Sequence, residues 1–285
     1  MKLGIDLSEH NGNIDFNKVK KSGIEFVILR IGWIGNKNNH TIDKKFEEYY
    51  LQAKAVGLKI GGFVYNYCNN ENTIISGIEW VKKILNNRHL DYPLFLDMEN
   101  DDTQEVKLST YGKETLTKIS KKFCESFSNY QTGIYANKDW FTNYLDINTL
   151  QNFKIWLAEW NGKENHTANF KVNLWQYTSS GKVDGISGNV DMNYCLECEE
   201  NTEEITGETN KGGEFEVAKK WKNGSTKEDV FADVKLTTKI GTIFPRGEAD
   251  CLQIIDGKYL VCYNVYSGNN IVNKKTGFVK YNGGL

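Results

Sequence analysis

Apolar runs recur along the first 195 positions, and their period switches as the chain proceeds. Leu3–Leu7, Phe26–Ile31, Lys59–Tyr65, Pro93–Asp97, Thr132–Tyr135, Lys154–Ala158, Val172–Tyr177 and Asn189–Met192 read as strands. Several are apolar without alternation, as expected where a parallel sheet is covered on both faces. Between the early runs lie stripes at helical spacing: Phe46, Tyr49, Tyr50 and Ala53, then Ile74, Ile78, Val81 and Leu85, then Leu116, Ile119, Phe123 and Phe127. Asp15–Lys21 and Lys138–Leu145 each have room for a shorter helix. The later gaps differ: Glu159–Lys171 is polar, and the next gap carries Gly181, Gly185 and Gly188. Five strand–helix units followed by three bare strands predict an α/β fold, an irregular TIM-like barrel of (β/α)5β3 type.

Beyond this region the pattern changes. Six glutamates fall between 197 and 208, followed by Asn210-Lys211-Gly212-Gly213. An acidic, glycine-ended stretch of this kind reads as a linker over 199–214. Short strand candidates follow at Phe215–Trp221, Asp229–Val234, Thr238–Phe244, Cys251–Ile255, Lys258–Val265 and Gly277–Tyr281. Asp256-Gly257 is a strong hairpin signal. Residues 1–198 are therefore expected to form one large domain, and 215–285 a small all-β barrel.

Charge sharpens this division. The 285-residue chain carries a net charge of −2. From Lys211 onward there are 11 lysines and one arginine against 8 acids, a net +4, which leaves −6 for residues 1–210. An acidic body with a basic tail suggests two tasks, the second favouring an anionic polymer. No Lys/Arg cluster supports a nucleic-acid partner. Met1–His10 has no apolar secretory core, and no run of eighteen apolar residues suggests a membrane span, so synthesis in the cytoplasm is expected. Cys195-Leu196-Glu197-Cys198 resembles half a zinc site, but nothing completes it. The expectation for all six cysteines is free thiols, with no metal and no cofactor.

Candidate chemistry centres on Tyr92-Pro93-Leu94-Phe95-Leu96-Asp97-Met98-Glu99. An apolar strand ends in two carboxylates two residues apart, which strand period places on one side. Asp6 ends the first strand and Asp191 the eighth. Barrel closure makes those strands neighbours, so four acids are expected in one pocket at the catalytic mouth. Converging acids shift each other's pKa and can retain a proton at neutral pH. Glycosidic cleavage needs a protonated acid and an ionised carboxylate. Trp33, Tyr65, Tyr67, Trp160, Trp175 and Tyr177 lie at or just after strand ends and offer faces for sugars. A metal-dependent phosphoesterase and a wall-binding barrel without activity are the alternatives.

These residues together resemble glycoside hydrolase family 25, the muramidases of bacteria and phages. The resemblance rests on Gly4-Ile5-Asp6-Leu7-Ser8, Gly12-Asn13-Ile14-Asp15-Phe16, Phe26-Val27-Ile28-Leu29-Arg30, Gly61-Gly62-Phe63-Val64-Tyr65, Phe95-Leu96-Asp97-Met98-Glu99, Leu174-Trp175-Gln176-Tyr177 and Val190-Asp191-Met192-Asn193. It implies cleavage of the β-1,4 bond between N-acetylmuramic acid and N-acetylglucosamine. Glu99 is then the general acid/base, Asp97 assists, and Asp6 and Asp191 bind substrate and tune the pair. Tyr65, Arg30, Trp160, Trp175 and Tyr177 are the candidate substrate contacts.

Lys258–Tyr263 and Thr276–Tyr281 resemble the SH3-like wall-binding domains of phage endolysins. Trp221, Tyr259, Tyr263 and Tyr281 are its candidate wall contacts. The likeness implies a chain made without a signal peptide, released by a holin, and acting on peptidoglycan and its anionic polymers. Lys211-Gly212-Gly213-Glu214 can be encoded as a ribosome-binding sequence ahead of a GUG start at Val217, so a separate tail fragment pairing with the full chain is a further expectation.

Overall fold

The computed structural model describes residues 1–36, 39–86, 88–102, 104–197, 214–231, 236–255, 258–267, 270–280 and 283–284. The chain divides into two compact units, Met1–Ile205 and Thr206–Leu285.

The first unit is a mixed α/β closed barrel. Its strands are β1 (Lys2–Leu7), β2 (Phe26–Asn36), β3 (Asn39–Ile42), β4 (Lys59–Asn66), β5 (Leu94–Asp97), β6 (Thr132–Asn137), β7 (Lys154–Ala158), β8 (Leu174–Gly181) and β9 (Val190–Cys195). They pair in the order β1-β9-β8-β7-β6-β5-β4-β2-β3, and a further β1–β2 pairing closes eight of them into a ring. All pairings from β1 through β2, β4, β5, β6 and β7 to β8 are parallel, whereas β9 runs antiparallel to both neighbours. Helices α1 (Phe16–Lys21), α2 (Phe46–Ala55), α3 (Glu71–Leu85), α4 (Lys113–Glu125), α5 (Lys138–Asn143) and α6 (Ile147–Leu150) occupy the first five connections.

Local signals set these boundaries. Asp15 starts α1 by accepting the N–H groups of Asn17 and Lys18. Asn70 and Thr73 form a reciprocal capping box on α3, which ends at Asn86 in the left-handed region, φ 43°. The apolar stripes of α2, α3 and α4 are buried.

Alternate strand residues point inward. Phe26, Ile28, Phe63, Tyr92, Phe95, Tyr135, Trp156 and Leu174 pack into one interior cluster. Phe26 stacks on Tyr92 with centroids 4.5 Å apart. Gly4 makes room for this, because a Cβ there would lie 2.3 Å from the Phe26 ring.

The structure departs from the sequence reading in several places. The β2–β3 hairpin is additional, because β2 continues past Ile31 and folds back. The last barrel strand begins at Val190 and runs antiparallel, so Asp191 lies near its start rather than its end. Finally, Cys68, Cys124, Cys251 and Cys262 form no disulfide, but Cys195 is disulfide-bonded, against the free-thiol expectation.

The second unit is all-β. Its strands are β10 (Glu214–Asn223), β11 (Glu228–Phe231), β12 (Lys239–Ile243), β13 (Glu248–Ile255), β14 (Lys258–Ser267), β15 (Asn270–Val279) and β16 (Gly283–Gly284). They form one antiparallel sheet in the order β12-β11-β15-β14-β13-β10-β16. Trp221, Val230, Ile243, Cys251, Val261, Tyr263 and Val279 make its core. Two expected wall contacts are thereby placed inside, Trp221 at 0% exposure and Tyr263 at 5%. The cause is register: Trp221 pairs with Ala249, and Ala249 with Tyr263, so the three share the inward face. Tyr259 packs partly buried against this core. Tyr281, Asp256-Gly257 and nearly all of the expected linker lie outside the described residues.

Candidate active site

The four acids meet at the mouth of the first barrel. Asp97 ends β5 and pairs in register with Tyr65 of β4. Asp6, near the end of β1, pairs with Asp191 across the antiparallel β1–β9 ladder. The reversed direction of β9 brings its start to the end of the barrel where the parallel strands finish. Asp6, Asp97, Glu99 and Asp191 line one hollow of about 280 Å³, together with Arg30, Tyr65 and Trp160. Met98, between the two central acids, is held from behind: its N–H donates to Tyr135 O at 2.8 Å, and its sulfur lies 3.3 Å from the Asn66 amide nitrogen.

Burial dominates the electrostatics. It raises the Glu99 carboxyl to about 7, assisted by the charges of Asp101 and Asp191 and opposed by a hydrogen bond from Tyr65. Asp97 is 4% exposed, and its Oδ1 is buried without a hydrogen-bond partner. Burial and the charges of Glu99 and Asp6 push its pKa well up, while Arg30 pulls the other way. Burial and the Asp191 charge raise Asp6 to about 8, and burial raises Asp191 as well. Four mutually repelling carboxyls in a desolvated hollow cannot all be ionised at neutral pH. The site can therefore both give and accept a proton near pH 7.

Arg30 is positioned from the side. Its Nε donates to Asp43 Oδ2 at 2.7 Å, and its guanidinium lies 4.9 Å from the Trp33 ring centroid. Asp43 is fixed in turn by the N–H groups of Glu9 and Lys45, at 3.0 and 2.8 Å. Arg30 Nη2 is buried without a partner.

Two expected contacts stand elsewhere. Trp175 and Tyr177 do not line the hollow. On β8 it is Leu174 and Gln176 that face inward, so period two sends Trp175 and Tyr177 outward. There Tyr177 stacks on Tyr194 at 4.4 Å, and the Trp175 indole donates to Glu159 O at 3.0 Å. Conversely, Gln176, Asn193, Tyr135, Trp156 and Asp43 build the site without having been singled out from the sequence. Gln176 was legible, since it lies between two aromatics whose parity it opposes. Asn193 follows Asp191 at strand period. Asp43 had no sequence signal. Among the described residues, no three of His, Cys, Asp and Glu are placed to hold a metal ion.

Among the described residues of the second unit, the exposed large aromatic is Phe244, at 63% exposure, with Lys227 Nζ 5.3 Å from its ring centroid. The buried Asn223 amide joins the two turns that carry them, donating to Thr226, Ile243 and Phe244 carbonyls at 2.8, 3.0 and 2.9 Å.

Residues 5–186 match Glycosyl hydrolases family 25, well over half of the chain. The chain belongs to that family. The match takes in Asp6, Asp97 and Glu99 and stops short of Asp191, which the β1–β9 pairing brings to the site. The family 25 barrel is 28% identical over 192 residues to the autolytic lysozyme of Clostridium acetobutylicum, covering 66% of this chain and 54% of that one. It superimposes on the modular autolysin LytC of Streptococcus pneumoniae with a TM-score of 0.60 and 27% identity, over 67% of this chain and 46% of the other. The CTP1L endolysin shares the fold, with a TM-score of 0.57 and 22% identity over 68% of this chain and 66% of that one. The chain thus spans about half the length of the lysozyme and autolysin it matches.

Proposed function

We propose that this chain is a muramidase that hydrolyses the β-1,4 bond between N-acetylmuramic acid and N-acetylglucosamine in bacterial peptidoglycan. The observation that carries the reading is the single hollow holding Asp6, Asp97, Glu99 and Asp191, with Glu99 raised to about 7. Family membership and the similarity to an autolytic lysozyme support it. Glu99 protonates the departing glycosidic oxygen and then takes a proton from water. Asp97, which lines the hollow and has a buried oxygen without a hydrogen-bond partner, stabilises or orients the group that bears positive charge. Arg30, Tyr65 and the exposed Trp160 hold the sugars.

The second unit acts as an SH3-like wall anchor in this reading. Its basic balance suits anionic wall polymers, and Phe244 with Lys227 is the outward-facing contact in place of Trp221 and Tyr263. A phage endolysin that waits in the host cytoplasm for holin-dependent release fits the same architecture. Internal initiation at Val217, yielding a tail fragment that pairs with the full chain, belongs to this reading. The CTP1L endolysin, whose activity is regulated by a secondary translation product, offers a parallel.

Mass spectrometry of fragments released from purified peptidoglycan tests the activity. New reducing ends on N-acetylmuramic acid are expected. Reducing ends on N-acetylglucosamine, or cut peptides with intact glycan, would overturn it. One band or two on a gel of the expressed gene decides the internal start.

A further inference from the structure

Two amide side chains, Gln176 in the wall of the hollow and the fully buried Asn193, have their orientation dictated by indoles. An indole N–H can only donate a hydrogen bond. Trp160 Nε1 lies 3.1 Å from Gln176 Oε1, and Trp156 Nε1 lies 2.8 Å from Asn193 Oδ1. Both amide oxygens therefore face their tryptophans. Both amide nitrogens then turn to the same atom: Gln176 Nε2 and Asn193 Nδ2 donate to Asp6 Oδ2, at 2.9 and 2.8 Å. The Tyr135 hydroxyl donates to the same Gln176 oxygen at 3.0 Å.

Consequences follow at each end of this chain of bonds. At the floor, an oxygen that accepts two N–H groups is not the one that carries a proton. Any proton on Asp6 sits on Oδ1, leaving that group for Asp191, its cross-strand partner. At the rim, Trp160 is 58% exposed. Its anchor is Gln176, which is 3% exposed and has its amide bonded on both the oxygen and the nitrogen.

We infer that Gln176 is a positioning residue, whose amide ties the pose of the Trp160 ring at the rim to the acceptor state of Asp6 at the floor. A sugar stacking on Trp160 then meets a preset ring and an Asp6–Asp191 pair whose shared proton lies between the two carboxyls. The sugar itself rests on the muramidase reading; the tie between the residues does not.

The first test needs no substrate. On the ¹⁵N-labelled full chain, the Trp160 indole resonance is assigned by its loss in Trp160→Phe, and its exchange with solvent is measured. It is expected to exchange about five- to tenfold faster in Gln176→Leu than in the unaltered chain, the effect of one hydrogen bond. Equal exchange in the two overturns the inference. Gln176→Glu keeps the shape and adds a pH readout. Ionised, it cannot donate to Asp6; protonated, it can donate to Asp6 and still accept from the indole. Its deficit in hydrolysing purified walls should be about tenfold or more at pH 8 and shrink toward pH 5, whereas Gln176→Leu, with no group to donate at any pH, should keep its deficit at pH 5. Parallel deficits for the two overturn the inference. In a double-mutant cycle, Trp160→Phe should raise KM in the unaltered chain and add nothing to Gln176→Leu; multiplying effects overturn it too. A chain that cleaves no glycan yet shows the indole effect refutes the muramidase reading alone.

Discussion

Replacing Asp6 by asparagine is expected to stabilise the barrel, and to do so more as pH rises. Burial and the neighbouring Asp191 push the Asp6 carboxyl from its ordinary 3.8 up to about 8. The folded state therefore binds more protons than the unfolded chain throughout this interval. The Asp6 contribution to stability is fullest below pH 3.8 and declines as pH climbs toward 8, because ionisation favours the unfolded chain. Each pH unit in the interval costs about 1.4 kcal/mol. Asparagine has no such cost, and its amide can reproduce the neutral acid, its oxygen accepting from Gln176 and Asn193 and its nitrogen donating to Asp191. The gain over the native chain should be under about 1 kcal/mol near pH 4 and rise to a few kcal/mol at pH 7. Guanidinium unfolding of the full chain, followed by near-ultraviolet circular dichroism, isolates the barrel because six of the seven tryptophans lie in it. A constant offset between the two proteins from pH 4 to 7, or a loss of stability at pH 7, would refute the reasoning.

Other expectations follow from the same geometry. Glu99→Gln should lower wall lysis by about 10²- to 10⁴-fold with the fold intact, read as turbidity loss alongside circular dichroism; near-normal lysis would remove Glu99 from the chemistry. Tyr65→Phe deletes a hydrogen bond that holds the Glu99 carboxyl down, so the alkaline limb of the pH–rate profile should move to higher pH; a shift to lower pH would show the bond acting otherwise. Phe244→Ala should weaken sedimentation of the silenced Glu99→Gln chain with walls by a few-fold, and added salt should weaken it further; unaltered sedimentation would place the wall contact elsewhere.

Much of the barrel was legible because its parallel strands are apolar on both faces and its helices carry clean stripes. The Asp97-x-Glu99 pair was legible for the same reason: period two leaves only one side for both. What escaped depends on parity and direction between strands distant in sequence. Trp175 and Tyr177 stand beside the right residue on the right strand, yet Gln176 takes the inward position. Asp191 reaches the mouth because β9 is reversed, and strand direction leaves no trace in an apolar run. In the small unit, Trp221 and Tyr263 drew notice as large aromatics, but a sheet of this size needs them for its core. Phe244 had no local signal beyond its position before Pro245 in a turn.

The proton on Glu99 is the centre of the account, and its titration is the most direct test. In the full chain with ¹³C-labelled glutamate, the Glu99 carboxyl resonance is identified by its absence in Glu99→Gln and followed against pH. A midpoint close to 7 is expected, as burial in the hollow requires. A midpoint at the ordinary 4.5 would mean that this carboxyl is fully ionised at neutral pH and has no proton to give.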